Sequence, residues 1–129
     1  MTREEQEWWV QAARDDWKAF ESLKRDNNYS LAVFHLQQAA EKGLKSLCYK
    51  GGRPGFTHSG LELLKKLAGM GFGVTNDLYA AARRLDPHYT LARYPNGVGG
   101  VPRDYYDLSL LEELELCART LMSFVDSNQ

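Results

Sequence analysis

The chain has few of the residues that build metal or disulfide sites. Its two cysteines, Cys48 and Cys117, form no CxxC pair, and its three histidines, His35, His58 and His88, have no partner at metal-ligand spacing. We therefore expect buried free cysteines, no bound metal and no other cofactor. The glycine-rich stretches follow no predicted strand, so dinucleotide and phosphate-loop fingerprints do not apply.

Long apolar runs and strand-like alternation are also missing. No apolar run approaches the roughly 18 residues of a membrane span, and the N-terminus lacks the basic-then-apolar order of a signal peptide. We therefore expect a cytoplasmic protein with no membrane segment. The length of 129 residues indicates a single domain over residues 1–129.

Neither sign of charge is in excess over the whole chain, but the charges are unevenly distributed. The formal net charge of −1 excludes a strongly basic nucleic-acid binder by bulk charge alone. Residues 27–103 nevertheless hold ten basic and four acidic side chains, whereas residues 104–129 hold one basic and six acidic. The basic middle can attract anions. The alternative is a pair of oppositely charged surfaces that solvate the protein or meet in an oligomer.

Helical periodicity is the most abundant pattern in the sequence. Apolar residues recur every three or four positions in five segments, near residues 2–26, 27–50, 58–70, 76–86 and 104–129. The predicted fold class is all-α, an up-and-down bundle of four or five helices with a long loop before the last helix.

Several residues mark the predicted helix ends and contacts. Thr2, Thr57 and Thr75 are the predicted N-caps of the first, third and fourth helices. Gly43 lies inside the second helix, where glycine costs about 1 kcal/mol relative to alanine. We expect another helix to pack closely against Gly43 and offset that cost.

A polar row lies beside the apolar stripe of the second helix. Gln37, Glu41 and Lys45 recur every four residues and share one helical face. One interpretation is two i,i+4 pairs, each stabilising the helix by roughly a few tenths of a kcal/mol. The other is a polar floor to a groove between helices.

The segment RRLDPHY joins the fourth helix to the long loop. Arg83 and His88 are separated by four residues, and Pro87 distorts the helix end between them. Histidine moves protons near neutral pH and arginine stabilises phosphoryl charge, so the pair suits phosphodiester chemistry on RNA, with a ribose 2′-OH as nucleophile. The alternative is chance combined with helix-end capping.

The long loop, HYTLARYPNGVGGVPR at residues 88–103, is rich in glycine and has no helical period. Loops of this length inside a small domain are functional or disordered. We predict an ordered part, HYTLARYP, and a flexible part, NGVGGVP, that crosses to the last helix.

Several motifs together resemble the HEPN family, named for higher eukaryotes and prokaryotes nucleotide-binding. They are YSLAVFHLQQAAEKGLKSL, THSGLELL and LDPHYTLARYPN, in this order along almost the whole chain. The resemblance implies a helical bundle that commonly dimerises, with a groove at the dimer interface. It also implies a minimal nucleotidyltransferase as partner, because many small prokaryotic members are encoded beside one.

Our leading interpretation is a homodimeric protein that binds nucleotide or RNA in a two-component, toxin–antitoxin-like system. We expect Arg93 to contact phosphate and Tyr94 to stack on a base, as arginine and aromatic side chains do on single-stranded nucleic acid. The full set of candidate binding residues is Arg93, Tyr94, Tyr89, Arg84, Lys42, Lys45 and Gln38.

Two alternatives remain open. One is a metal-independent endoribonuclease toxin, because many members of the family carry an arginine, four to six residues and then a histidine, a spacing that Arg83 and His88 fit. The other is a non-catalytic helical interaction module that uses the loop as its interface.

Overall fold

The computed structural model describes residues 3–129, in which all the regular elements are helices and no strand is present. A short 3-10 turn, Pro102–Tyr105, precedes the last helix, and two of the seven α-helices are single turns. In chain order the helices are α1 (Arg3–Arg25), α2 (Tyr29–Lys50), α3 (Gly60–Gly69), α4 (Asn76–Leu85), α5 (His88–Leu91), α6 (Pro95–Val98) and α7 (Leu108–Ser127). The all-α prediction is confirmed. Thr2 and its predicted capping role lie outside the described residues.

Helix α2 is the centre of the bundle. It packs against α1, α3 and α7, and it also contacts α5 and the 3-10 turn. Because neighbours surround it, α2 buries apolar side chains on several faces. Those at most 2% exposed are Ala32, Val33, Leu36, Ala39, Ala40, Leu44, Leu47 and Cys48.

Helix α7 packs tightly against α2 at Gly43. A Cβ atom at Gly43 would lie 3.1 Å from Met122 Sδ and 3.2 Å from Val125 Cγ2. Such contacts are shorter than ordinary van der Waals spacing, so only glycine lets α7 sit this close without a shift. The predicted close packing at Gly43 is confirmed.

The end of α4 fixes the start of α3. The Asp86 carboxylate accepts hydrogen bonds from Ser59 Oγ at 2.8 Å, Gly60 N at 2.7 Å and Leu61 N at 3.1 Å. A carboxylate is favourable there because the helix N-terminus carries free N–H groups and partial positive charge. Ser59 is the N-cap of α3, so the prediction of Thr57 is wrong. Thr57 Oγ1 instead accepts from Ser59 N at 3.0 Å.

Residues 88–103 are more regular than the sequence predicts. Pro95 starts α6, where its missing N–H costs nothing, and Gly99 ends it in the left-handed conformation with φ 73°. The prediction of a loop without helical structure is therefore wrong. Each piece is one hydrogen-bonded turn, too short for an apolar stripe to repeat, so periodicity could not reveal it.

The two cysteines are free and differ in environment. Cys48 is fully buried, and this burial raises the pKa of its thiol to about 11, so the thiol stays protonated. Cys117 is only partly buried, and α7 buries Ala118 beside it. In the part of the chain that the structure describes, no helix is long and apolar enough to cross a membrane.

Candidate functional site

Arg93 lies among three aromatic rings. Its guanidinium carbon is 4.4 Å from the ring centroid of Phe34, 4.7 Å from that of Tyr89 and 4.6 Å from that of Tyr94. Its Nε donates to the Tyr89 carbonyl oxygen at 3.2 Å. The rings and this hydrogen bond hold the guanidinium in place, while Tyr94 remains 45% exposed.

His58 extends the aromatic surface beyond Tyr89. Its imidazole stacks on the Tyr89 ring with centroids 4.2 Å apart and an interplanar angle of 14°. The His58 side chain is 56% exposed, and its Nδ1 lies 3.3 Å from Glu41 Oε2. We call the surface formed by Phe34, His58, Tyr89, Arg93 and Tyr94 the Arg93 surface.

A buried polar row lies beneath His58. Gln37, Glu41 and Lys45 are 2%, 3% and 5% exposed. Glu41 accepts from Lys45 Nζ at 2.9 Å and from Gln37 Nε2 at 3.2 Å, and Gln37 Nε2 also lies 3.3 Å from the His58 carbonyl oxygen. Both i,i+4 pairs predicted on α2 therefore form. The same buried row contacts His58 from below, through Gln37 and Glu41. It therefore also forms a polar floor under the Arg93 surface.

The other candidate binding residues on α2 face different neighbours. Gln38 donates to Gln37 Oε1 at 2.8 Å and so borders the polar floor. Lys42 instead forms an ion pair with Asp16 on α1, with Nζ 2.7 Å from Oδ2, and His35 Nδ1 lies 2.8 Å from Oδ1 of the same carboxylate. Lys42 thus ties α2 to α1.

The side chains of the RRLDPHY segment also make separate contacts. Arg83 lies over the Tyr79 ring at 6.0 Å, and Arg84 pairs with Glu113 on α7 at 3.0 Å. His88 Nδ1 lies 2.6 Å from the Tyr106 hydroxyl. The structure therefore gathers Tyr89, Arg93 and Tyr94 on one surface, and it gives Arg83, Arg84 and His88 different partners. It buries Lys45 against Glu41 and the Trp9 ring, away from ligand.

Burial sets the protonation of the contact between His88 and Tyr106. Desolvation, reinforced by the Arg84 charge, lowers the pKa of His88 below its usual 6.5. Burial raises the pKa of Tyr106 to about 12. A neutral imidazole and a protonated phenol satisfy this contact when the Tyr106 hydroxyl donates to Nδ1.

The lowered pKa of His88 predicts a loss of stability in acid. The unfolded chain binds a proton near the ordinary pKa, whereas the folded chain resists it, so the free energy of unfolding falls as the pH drops below about 6.5. His88→Gln removes this titration. We expect its Tm to fall less than that of the wild type between about pH 7 and pH 5.

Tyr106→Phe is the control for this pH effect. It removes the hydroxyl contact but leaves His88 buried, so the acid loss should persist. Parallel curves of Tm against pH for the wild type and His88→Gln would contradict a depressed pKa at His88.

Phe34 and His58 belong to the Arg93 surface but lie outside the predicted set of binding residues. Phe34 lies one helical turn before Gln37 and Gln38 and so continues the same face of α2, and this spacing is the signal that could identify it. His58 has no such local signal. Its nearness to Glu41 and Tyr89 depends on how α3 and α5 pack on α2, and no local pattern reveals that packing.

Comparisons with known proteins agree with this arrangement of helices and motifs. The family model of the HEPN domain matches residues 6–128. The chain belongs to the HEPN domain family. A search of curated proteins found no match.

Two HEPN-like structures cover nearly the whole chain. TT1696 from Thermus thermophilus is 31% identical, with 96% of this chain and 98% of that chain covered and a TM-score of 0.90. ST0689, described as an archaeal HEPN homologue, is 32% identical, with 98% of each chain covered and a TM-score of 0.76. HEPN is a nucleotide-binding, ribonuclease-like family.

Proposed function

We propose that this HEPN-domain protein binds nucleotide or single-stranded RNA on the Arg93 surface. The observation that carries the proposal is the position of Arg93 among Phe34, Tyr89 and Tyr94, with a guanidinium held at 4.4 to 4.7 Å from three rings. A fixed cation beside an exposed aromatic ring offers one group for phosphate and one for a base.

The remaining parts of the surface support the same function. His58 and Tyr89 form a stacked pair, which extends the flat area on which a second base can lie. The polar floor holds His58 from below through Glu41. Binding through a local basic and aromatic surface also explains how a chain with net charge −1 can bind a polyanion.

The direct test is a titration of the protein with short single-stranded RNA and with mononucleotides. A ligand that binds only the folded state must raise the Tm, so we expect a concentration-dependent increase. The measurements are RNA fluorescence anisotropy and thermal melting. No change in either would favour the alternative of a helical interaction module.

The ribonuclease alternative is the second candidate, and its support is the spacing of Arg83 and His88 in the sequence. The His88 imidazole is neutral near pH 7, but its lowered pKa also makes it a weaker base than an ordinary histidine. The same RNA incubation decides it. RNA products formed by the wild type but not by Arg83→Ala/His88→Ala would support cleavage, and equal background from both proteins would exclude it.

We further propose that the protein acts in the cytoplasm as a homodimer and pairs with a minimal nucleotidyltransferase in a toxin–antitoxin-like system. The support is the resemblance of its motifs to small prokaryotic HEPN proteins. Co-expression with a nucleotidyltransferase encoded beside it should give a complex that copurifies. Separate elution of the two proteins would contradict the pairing.

A further inference from the structure

A pocket of about 510 Å³ lies beside the Arg93 surface, at the N-terminus of α2. Its walls include residues 26–31, Arg93 and Arg103 of the 3-10 turn. We call it the α2 pocket. Because Arg93 lines it, this residue borders both the pocket and the aromatic rings.

The first turn of α2 lines the pocket and has backbone N–H groups without hydrogen-bond acceptors. Asn28, the N-cap, makes no side-chain capping bond, and the first turn has no acidic residue. Within residues 3–129, the backbone N–H groups of Tyr29, Ser30 and Leu31 have no acceptor, and the first to donate is that of Ala32, to Asn28 O at 3.0 Å. A helix of 22 residues also concentrates partial positive charge at this end.

The Ser30 hydroxyl is a second, independent sign of a ligand. Ser30 is only 4% exposed and lines the pocket, yet its hydroxyl has no hydrogen-bond partner within residues 3–129. Every fully enclosed side-chain polar atom among the described residues has a partner. The unpaired Ser30 hydroxyl is therefore open to the pocket.

The charges around the α2 pocket favour an anion. Arg93 and Arg103 both line it, and Arg103 has no carboxylate partner in the described part of the chain. Asp26 is the one carboxylate among the lining residues. Two guanidinium groups and the positive helix end outweigh that single negative charge.

We propose that the α2 pocket binds the phosphate group of the nucleotide or RNA whose base stacks at Tyr94. The free backbone N–H groups, the Ser30 hydroxyl, Arg93 and Arg103 all belong to residues that line the pocket, and a phosphate accepts hydrogen bonds from each of these kinds of group. Arg93 connects the phosphate to the rings. This inference rests on the proposed function, because it assigns the phosphate subsite of the same ligand.

Calorimetric titration of the full chain tests this assignment. The probes are adenosine and AMP, uridine and UMP, and inorganic phosphate. We expect each monophosphate to bind about tenfold more tightly than its nucleoside, because only the monophosphate reaches the pocket. Inorganic phosphate should compete with AMP.

Two variants localise the effect. Ser30→Ala should weaken AMP binding about fivefold and Arg103→Ala about tenfold, with adenosine binding unchanged. Arg53→Ala is the matched control, because Arg53 is an exposed arginine outside the pocket, and it should change neither affinity. Melting curves show that each variant is folded.

The outcomes separate this inference from the proposed function. Equal binding of nucleosides and monophosphates, or unchanged AMP affinity in both pocket variants, would overturn the pocket and leave the Arg93 surface standing. Binding of inorganic phosphate alone, lost in Arg103→Ala, would keep the anion pocket and overturn the proposed function. If no probe binds, the phosphate pocket is overturned, and the titration with single-stranded RNA decides the proposed function.

Discussion

Arg93→Ala is expected to weaken the binding of single-stranded RNA about 10- to 100-fold. The substitution removes a guanidinium that lies 4.4 Å from the Phe34 ring and 4.6 Å from the Tyr94 ring. It therefore removes the cation that contacts phosphate and also the planar group against which Tyr94 is positioned. Fluorescence anisotropy of a labelled RNA gives the affinity directly.

Two further variants test what the Arg93 side chain contributes. One separates its charge from the planar shape of its guanidinium, and the other tests whether the position of the arginine matters. Arg93→Lys keeps the charge but loses the flat, stacked fork, so its affinity should lie between those of the wild type and Arg93→Ala. Arg119→Ala is the matched control, because Arg119 lies 5.0 Å from the Trp17 ring and is paired with Glu115 on α7. Equal losses from Arg93→Ala and Arg119→Ala would show that RNA does not bind specifically at the Arg93 surface.

The long helices could be predicted from the sequence because each buries an apolar stripe that repeats over several turns. Leu36, Leu44 and Leu47 identify the buried side of α2 from their spacing alone. Gly43 also predicted the close approach of another helix, since a glycine inside a helix requires a compensating contact. These features depend on neighbours in the sequence, and the structure confirms them.

Thr75 is the N-cap of α4, as predicted. The start of α3 and the single turns depended on contacts that the sequence does not show. Thr57 and Ser59 are both good N-cap residues, and the choice falls to Ser59 because Asp86 at the end of α4 binds the start of α3. The turns within residues 88–103 have no repeating stripe. Their order comes from Pro95, Gly99 and packing against their neighbours, so local composition alone suggested a loop.

The candidate site was predictable only where its residues are close in sequence. Tyr89, Arg93 and Tyr94 lie within six residues, and the structure places them together. Phe34 and His58 come from other parts of the chain and reach the site through tertiary packing. The spacing of Arg83 and His88 likewise says nothing about their partners, which proved to be Tyr79 and Tyr106.

The polar floor is where we expect the largest effect on stability. Glu41→Leu should lower the free energy of unfolding by about 3–5 kcal/mol, because it leaves the Lys45 ammonium buried without its counter-charge. Lys45 is 5% exposed and its Nζ lies 2.9 Å from Glu41 Oε2. The loss also removes the acceptor that Gln37 and His58 share. Urea unfolding followed by circular dichroism measures it.

The double variant Glu41→Leu/Lys45→Met distinguishes the effect of an unpaired buried charge from that of a general packing defect. Suppose that Glu41→Leu lowers the free energy of unfolding because it leaves the Lys45 ammonium unpaired. The double variant, which has no buried charge, should then be more stable than the Glu41→Leu single variant. Glu113→Leu is the control, since the pair of Arg84 and Glu113 is exposed and should be worth at most about 1 kcal/mol. Similar losses from Glu41→Leu and Glu113→Leu would show that burial adds nothing to the Glu41 pair. In that case the polar floor would not be what holds His58 in place within the Arg93 surface.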